Sequence, residues 1–484
     1  MDEQSRTPVV EQHSFDYIPT TERTGTVGTQ VRFWFMVNAT LLTAFTGALG
    51  PSLGMGLPAT LIAIVTGSIF GTLFQAFHGA QGPHMGLPQM IQSRVQFGSR
   101  GAAVPTVIAA LIPIGFVIFN FQSGASAYVS LVGGGVTFPT IVIAVAAAVL
   151  CIFGYRYIVK AESALAWITV ANLILLTVAA IAVLPLESMM GNWAVTPFAF
   201  LAQFGVSAGY QLAIATMVSD FTRYMPARTP GWRVSAAVFA GTISSAIWIE
   251  ALGAAVSDSF PKLDVIGALN KMGNQFGFSL GTITMIIGIV VFLTVSSVAL
   301  YSGSISLLSA LEAFRRLRAT ARLRTVTICI ASAFVLTAAL VLPANILASF
   351  SVFLTFLGYL LIPWTAVNLV DYYIIRRGLY SISDIVRSDG GIYGRWGTRG
   401  LISYACGLVA MIPFLSSSIY TGPIASAMGG ADISFIFGLS VSGFAYWLLM
   451  RRVDLRAERE IISTASIHTG ELLRDVEPLV DGNR

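Results

Sequence analysis

Gln203, Ser207, Tyr210 and Gln211 recur at i, i+4, i+7 and i+8 in the apolar stretch PFAFLAQFGVSAGYQLAIATMVSDFTRYM, residues Pro197 to Met225. That spacing puts two amides, a hydroxyl and a phenol on one helix face. In lipid such a stripe turns toward a neighbour or a water-filled path, because unpaired polar groups there cost several kcal/mol. Singly, each residue reads as glue between helices; four on one face read as a binding surface. Gly205 and Gly209, one turn apart, thin the helix where another backbone approaches. Glu250, in the run IWIEALG, reads as the only carboxylate deep inside an apolar segment. A proton carrier is one role for it, a bond to backbone or to a neighbouring Ser/Thr the other.

The elements that must position these groups are membrane helices. Of 484 residues, 55% are hydrophobic and 11% charged, whereas a soluble protein carries about 25% charged residues. The apolar runs are continuous, not alternating, which fits helices better than an outer-membrane barrel. The net charge of +5 comes from basic residues in short loops, without the aromatic-interleaved basic surface of a nucleic-acid binder. Cys151, Cys329 and Cys406 lie in apolar runs and suggest neither a disulfide framework nor zinc. His78 and His84 flank a Gly-rich turn with no third ligand, so no metal site is expected.

Twelve apolar segments are expected, near 33–56, 57–77, 103–130, 137–155, 163–185, 197–219, 233–256, 279–309, 326–343, 346–374, 400–419 and 432–450. Segment 1 carries Asn38, Thr40, Thr43 and Thr46, then Gly47, Gly50, Pro51, Gly54 and Gly56. A Gly/Pro-interrupted span of this kind points to a discontinuous transporter helix. Residues 1–30 are polar, without a signal peptide, and read with 451–484 as cytoplasmic tails. One side receives Arg94, Arg100, Arg156, Lys160, Arg223, Arg228 and Arg233. It also receives Arg315, Arg316, Arg318, Arg322, Arg324 and the arginines of the 376–399 loop, against only Lys262 and Lys271 opposite. The positive-inside rule then places both termini in the cytoplasm. Segments 1–5 and 6–10 form two halves, about 31–186 and 196–375, within a core of 31–375. Five spans is odd, so the second half enters from the opposite side and an inverted repeat follows. Segments 11 and 12, within 400–450, lie outside it.

Several motifs in this order resemble the nucleobase:cation symporter-1 family, purine/cytosine permease branch. They are Ile18-Pro19 with Glu22-Arg23-Thr24; Gly86-Leu87-Pro88-Gln89-Met90 with Ser93-Arg94 and Phe97-Gly98; and Gly115-Phe116 with Asn120 and Gly124. Further along come Asp220-Phe221-Thr222-Arg223-Tyr224, Tyr301-Ser302, and Asn368-Leu369-Val370-Asp371-Tyr372-Tyr373 with Arg376-Arg377-Gly378. The resemblance implies an all-α, LeuT-like core of ten helices in two inverted repeats, plus two peripheral helices. A small heterocycle would bind between segments 1, 3, 6 and 8, its ring sandwiched by an aromatic residue of segment 3 and another of segment 6. Phe116 takes the first position, where many relatives have Trp, and the second falls near Tyr210-Gln211. The implied substrate set is Phe116, Asn120, Gln203, Phe204, Ser207, Tyr210 and Gln211. Aromatics suit the faces of a nucleobase, and amides suit its edge of donors and acceptors. Sodium, as coupling ion, would draw on segment 1, with Asn38, and on segment 8 through Thr294, Ser296 and Ser297. These hydroxyls are offset from the family's sodium-binding positions. A proton would draw on Glu250. Asp220 and Asp371 are expected to pair with Arg223 and Arg376 at the cytoplasmic edge.

The reading is a cation symporter importing cytosine or a purine across the plasma (inner) membrane, with no cofactor beyond sodium or a proton. Allantoin, a hydantoin or a vitamin precursor is the alternative substrate class. No nucleotide-binding motif suggests ATP as the energy source. A channel would show a pore loop or a ring of charges, and an enzyme a His/Glu/Asp cluster. The sequence offers neither.

Overall fold

A computed structural model describes residues 16–462 except 316, 318, 319, 343, 344, 457 and 461. Arg316, Arg318, residues 1–15 of the N-terminal tail and most of 451–484 therefore lie outside the described residues. The chain is helical: α1 (Val27–Asn38), α2 (Leu41–Gly47), α3 (Leu57–Gly79), α4 (Ala103–Val132), α5 (Thr137–Phe153), α6 (Tyr155–Val183), α7 (Pro197–Ala215) and α8 (Val218–Thr222). Then follow α9 (Gly231–Ser259), α10 (Val265–Phe276), α11 (Leu280–Glu312), α12 (Ala321–Val341), α13 (Ile346–Leu369), α14 (Thr398–Met411) and α15 (Ser434–Met450). Eight helices among the described residues are long and apolar enough to cross a membrane, and three shorter ones are apolar.

Segment 1 is broken, as its composition suggests, but not at a glycine. The chain leaves the helix at Ala39, and Thr40, in extended conformation, caps α2 by accepting from the Thr43 N–H. A Thr N-cap restarts a helix as firmly as glycine interrupts one. Thr26 caps α1 in the same way, so the helix begins inside the expected tail. The glycines serve packing instead. A Cβ on Gly47 would lie 1.9 Å from the Glu250 carbonyl oxygen, and one on Gly253 would lie 2.0 Å from the Ala44 carbonyl oxygen. Only glycine lets α2 and α9 meet backbone to backbone. Gly253→Val should therefore cost at least about 1–3 kcal/mol, the range for overpacking. Thermal unfolding of the purified protein reads this, and wild-type melting would show that the two backbones are not in contact.

Segment 6 is broken as well, with neither glycine nor proline at the break to announce it. The N-terminal half, α7, starts on a Thr196 cap with Pro197 in the first turn. It stops at Thr216, and α8 resumes at Val218. Two broken helices at corresponding places, one in each half, are the mark of the inverted repeat. Around them α3 and α9 pack on α1, α2 and α7, while α4 pairs with α11. In that pair Gly303 faces Pro113 and Gly124 faces Phe292, so the two helices run antiparallel. The peripheral α14 and α15 pack on each other and on α13.

Candidate functional site

Tyr210, on α7, reaches the break in segment 1. The Thr43 hydroxyl bridges the Asn38 carbonyl oxygen at 2.6 Å and the Tyr210 hydroxyl at 3.0 Å. The Tyr210 ring meets Phe116 of α4 at 5.1 Å between centroids and an interplanar angle of 86°. The two expected aromatics thus come together beside the break in segment 1, edge to face and not across a slot. A base held between two ring faces needs about 7 Å between them, twice an ordinary carbon contact, so one ring must turn on binding. Gly209 contacts the Leu354 carbonyl oxygen at 2.9 Å from its would-be Cβ, the close approach expected of it. Gly205 has no such neighbour.

Four amides on these and the adjoining helices carry atoms that meet no protein partner: both atoms of Asn38, both of Gln211, both of Gln75 on α3, which adjoins α7, and Oδ1 of Asn120. Each side chain is buried. A buried polar group left unpaired costs about 1–3 kcal/mol, so these atoms are primed to receive donors and acceptors. Counting along α4 and α11 from the Gly303–Pro113 and Gly124–Phe292 contacts places Ser296 level with Asn120. The Ser296 hydroxyl is likewise buried and unpartnered.

The remaining stripe residues are spent on the scaffold. Gln203 accepts from Gly50 N at 2.7 Å and donates to the Thr46 carbonyl and the Ser207 hydroxyl, both at 3.0 Å. Ser207 donates to Glu250 at 2.6 Å, and Ser68 donates to its other oxygen at 3.4 Å. Gln203, Ser207 and Glu250 thus form one run of bonds that links α7 to α9, α3 and the segment 1 backbone. Phe204 packs away from the breaks, against Phe70 and Phe435. The segment 8 hydroxyls do not converge. Thr294 donates to Val291 on its own helix at 3.1 Å, Ser297 to Ala147 of α5 at 3.0 Å, and Ser296 lies toward α4.

Glu250 is not the only deeply placed carboxylate. Glu162 is fully buried on α6, and neither oxygen has a hydrogen-bond partner. The apolar run suggests a segment beginning at 163, whereas the helix begins at Tyr155.

Both approaches to the rings are closed. Phe350 and Phe353 of α13 cover Phe116 at 5.6 and 5.9 Å, and a side chain on Gly115 would strike the Phe353 ring at 2.3 Å. On the face that carries the arginine loops, Phe33 and Trp34 of α1 pack on Phe221 of α8. There Tyr224 stacks on Tyr155 at 3.7 Å and meets the Tyr301 hydroxyl at 3.1 Å. A cavity of about 600 Å³, lined by Phe198, Gly205, Thr355, Tyr359 and Phe435, lies between α7, α13 and α15 instead.

The loop motifs gather on that same arginine face. Asp371 sits in a single π turn, Val370–Ile375, and pairs with Arg376 as expected. It also accepts from Gln96 at 2.8 Å, Tyr446 at 2.8 Å and Tyr380 at 3.0 Å. Asp220 does not bond the Arg223 guanidinium through its carboxylate. Gln89 N donates to Asp220 Oδ1 at 3.1 Å, and Arg223 Nε donates to the Asp220 backbone carbonyl at 3.2 Å. The Gly86–Met90 turn has taken the carboxylate first. His78 and His84 are held by Thr365 and Tyr372, and no metal-binding group of side chains occurs among the described residues.

Two antiparallel broken helices around buried aromatic and amide groups, closed at both ends, define a LeuT-like secondary transporter. A family model described as permease for cytosine/purines, uracil, thiamine, allantoin matches residues 17–438. The chain belongs to that family, the purine/cytosine permease branch of the nucleobase:cation symporter-1 proteins. It is 33% identical to the putative purine-cytosine permease YxlA of Bacillus subtilis, over 93% of this chain and 98% of that one. It is 22% identical to the purine-cytosine permease fcyB of Emericella nidulans, over 92% and 89% of the two chains. Among solved structures, Mhp1, a nucleobase-cation-symport-1 family transporter in a closed conformation with bromovinylhydantoin bound, superposes with a TM-score of 0.74 at 17% identity, covering 96% of this chain and 98% of Mhp1.

Proposed function

We propose that this protein imports a nucleobase, cytosine or a purine, together with a cation, by alternating access across the plasma (inner) membrane, the arginine face being cytoplasmic. The observation that supports this most is the meeting of Phe116 and Tyr210 beside the break in segment 1, with the unpartnered amides of Asn38 at that break and of Asn120 and Gln211 on the helices that carry the two rings. Flat faces for a ring and mixed donor–acceptor groups for its edge are what a nucleobase requires. Phe350 and Phe353 would retract to admit substrate from outside, and α1 would part from α8 to release it inside. Phe in place of Trp at position 116 favours a second reading, the same cycle with another heterocycle such as allantoin, a hydantoin or a vitamin precursor.

The deciding experiment is thermal-shift binding of the purified protein against nucleobases, hydantoins and vitamin precursors, with and without sodium. A ligand at 100 times its Kd stabilises the folded state by about 2.7 kcal/mol. Cytosine or a purine is expected to raise the melting temperature. Silence from every nucleobase with a hit elsewhere would overturn the substrate class and leave the fold standing.

A further inference from the structure

We infer that Glu162 is the residue that carries the coupling charge: its carboxylate, in the seam between α6 and α11, binds one positive charge, a proton or a sodium ion. The inference rests on the cation-coupled reading above and names the site for that cation.

Glu162 lies two turns into α6 and is fully buried, and neither oxygen accepts a hydrogen bond. The helices packed on α6 are α1, α5, α9, α10 and α11. Their charged residues are Arg32, Arg233, Glu250, Asp258, Lys271 and Glu312, and none of these forms an ion pair with Glu162 among the described residues. Glu312 pairs with Arg94, and Glu250 takes the hydroxyls of Ser207 and Ser68. Arg156 and Lys160, on the same helix, are exposed. An ionised carboxylate with no counter-charge, and with only the Thr294 hydroxyl of α11 within reach, is among the costliest groups to bury. In this closed arrangement the site is therefore neutral, and neutrality requires a bound positive charge.

Further polar groups lie along the same seam. Thr294 of α11 lies beside Glu162. Along the buried face of α6 follow Thr169 and Asn172, and Asn172 accepts from Thr284 of α11 at 3.0 Å. Thr169, Asn172 and Thr284 line a cavity of about 30 Å³ that also touches Ala39 and Thr40, the break in segment 1. Its polar side chains, Thr40, Thr169, Asn172 and Thr284, sit in an otherwise apolar lining, and its size suits one or two waters. The cavity thus joins the helix break to the stretch of α6 two turns beyond Glu162. On another side α1 packs on α6.

The step balances simply. With α1 seated, the site is the carboxylic acid or the sodium carboxylate. When α1 parts from α6 and α8, water enters, the proton passes to water or the sodium ion is hydrated, and a carboxylate remains. That charge opposes reclosure until a cation returns, which ties the closing of α1 to cation binding.

Glu162→Gln is neutral at any pH and of the same shape. Reconstituted in vesicles with cytosine as the probe, it is expected to lose accumulation driven by a proton or sodium gradient at least ~10-fold while keeping cytosine counterflow; Glu162→Asp should retain gradient-driven accumulation. Accumulation by Glu162→Gln equal to wild type would overturn the inference. Two readouts need no substrate and separate the cations. A protonated-carboxyl infrared band present in wild type and missing from Glu162→Gln identifies a proton. A sodium-dependent rise in melting temperature lost in the variant identifies sodium. If neither differs between the two proteins, the site holds no charge and the inference falls. Wild type that takes up no cytosine yet shows one of these differences would reject the substrate reading and keep Glu162 as the cation site.

Discussion

Asn120→Ala should weaken binding of the nucleobase found in the thermal-shift panel about 10- to 100-fold, the effect of losing one or two bonds to an otherwise unpaired buried edge. Asn120 sits one turn from Phe116 on α4, is 1% exposed, and has an Oδ1 that no protein group satisfies. The Ser296 hydroxyl stands level with it across the antiparallel pair. A group held there without a partner contributes nothing to the fold through that oxygen, so truncation should leave the melting temperature of the free protein nearly unchanged. The combination of lost affinity and kept stability distinguishes a ligand group from glue. Gln203 should show the reverse pattern, because its amide is already spent on Gly50, Thr46 and Ser207. Unchanged affinity in Asn120→Ala would remove this residue from the site.

That contrast also shows how far the sequence could be read. The i, i+4, i+7, i+8 stripe places Gln203, Ser207, Tyr210 and Gln211 on one face, and the structure keeps them there. What spacing cannot reveal is who stands opposite: the α2 backbone and Glu250 take the first two, leaving Tyr210 for Phe116. The apolar segments are legible because lipid tolerates no unpaired backbone and forces continuous apolar runs. Breaks are less so. Segment 1 advertises its break with glycines, yet the chain breaks at Ala39 and restarts on the Thr40 cap, while the glycines admit the α9 backbone. Segment 6 breaks between Ala215 and Val218 with neither glycine nor proline to announce it. Glu162 escapes for another reason. Hydropathy marks where a helix becomes greasy, not where it starts, and α6 starts early enough to bury a carboxylate that composition assigns to a loop.

Asp371→Ala should be the most destabilising of these substitutions, by about 3–5 kcal/mol, the range for removing one partner from a buried ion pair. The carboxylate lies at the point where the helix widens into its π turn and draws in four donors from separate parts of the chain. Arg376 follows it, Tyr380 comes from the next loop, Gln96 from the turns between α3 and α4, and Tyr446 from the peripheral α15. Arg376 in turn pairs with Glu458 beyond α15 at 2.8 Å. Asp371 thus ties the transport core to its periphery on the arginine face, which accounts for a motif of the permease family lying far from the substrate groups. Removing it leaves a guanidinium, two phenols and an amide buried against one another. Asp371→Asn keeps the shape and one acceptor, so it should fall between wild type and Asp371→Ala. Thermal unfolding of the purified variants reads both. A melting temperature for Asp371→Ala equal to wild type would mean that the cluster is solvated and not a structural tie. Phe116 and Tyr210 are far enough away in the chain and the fold that protein still folded in either variant should bind the nucleobase with wild-type affinity.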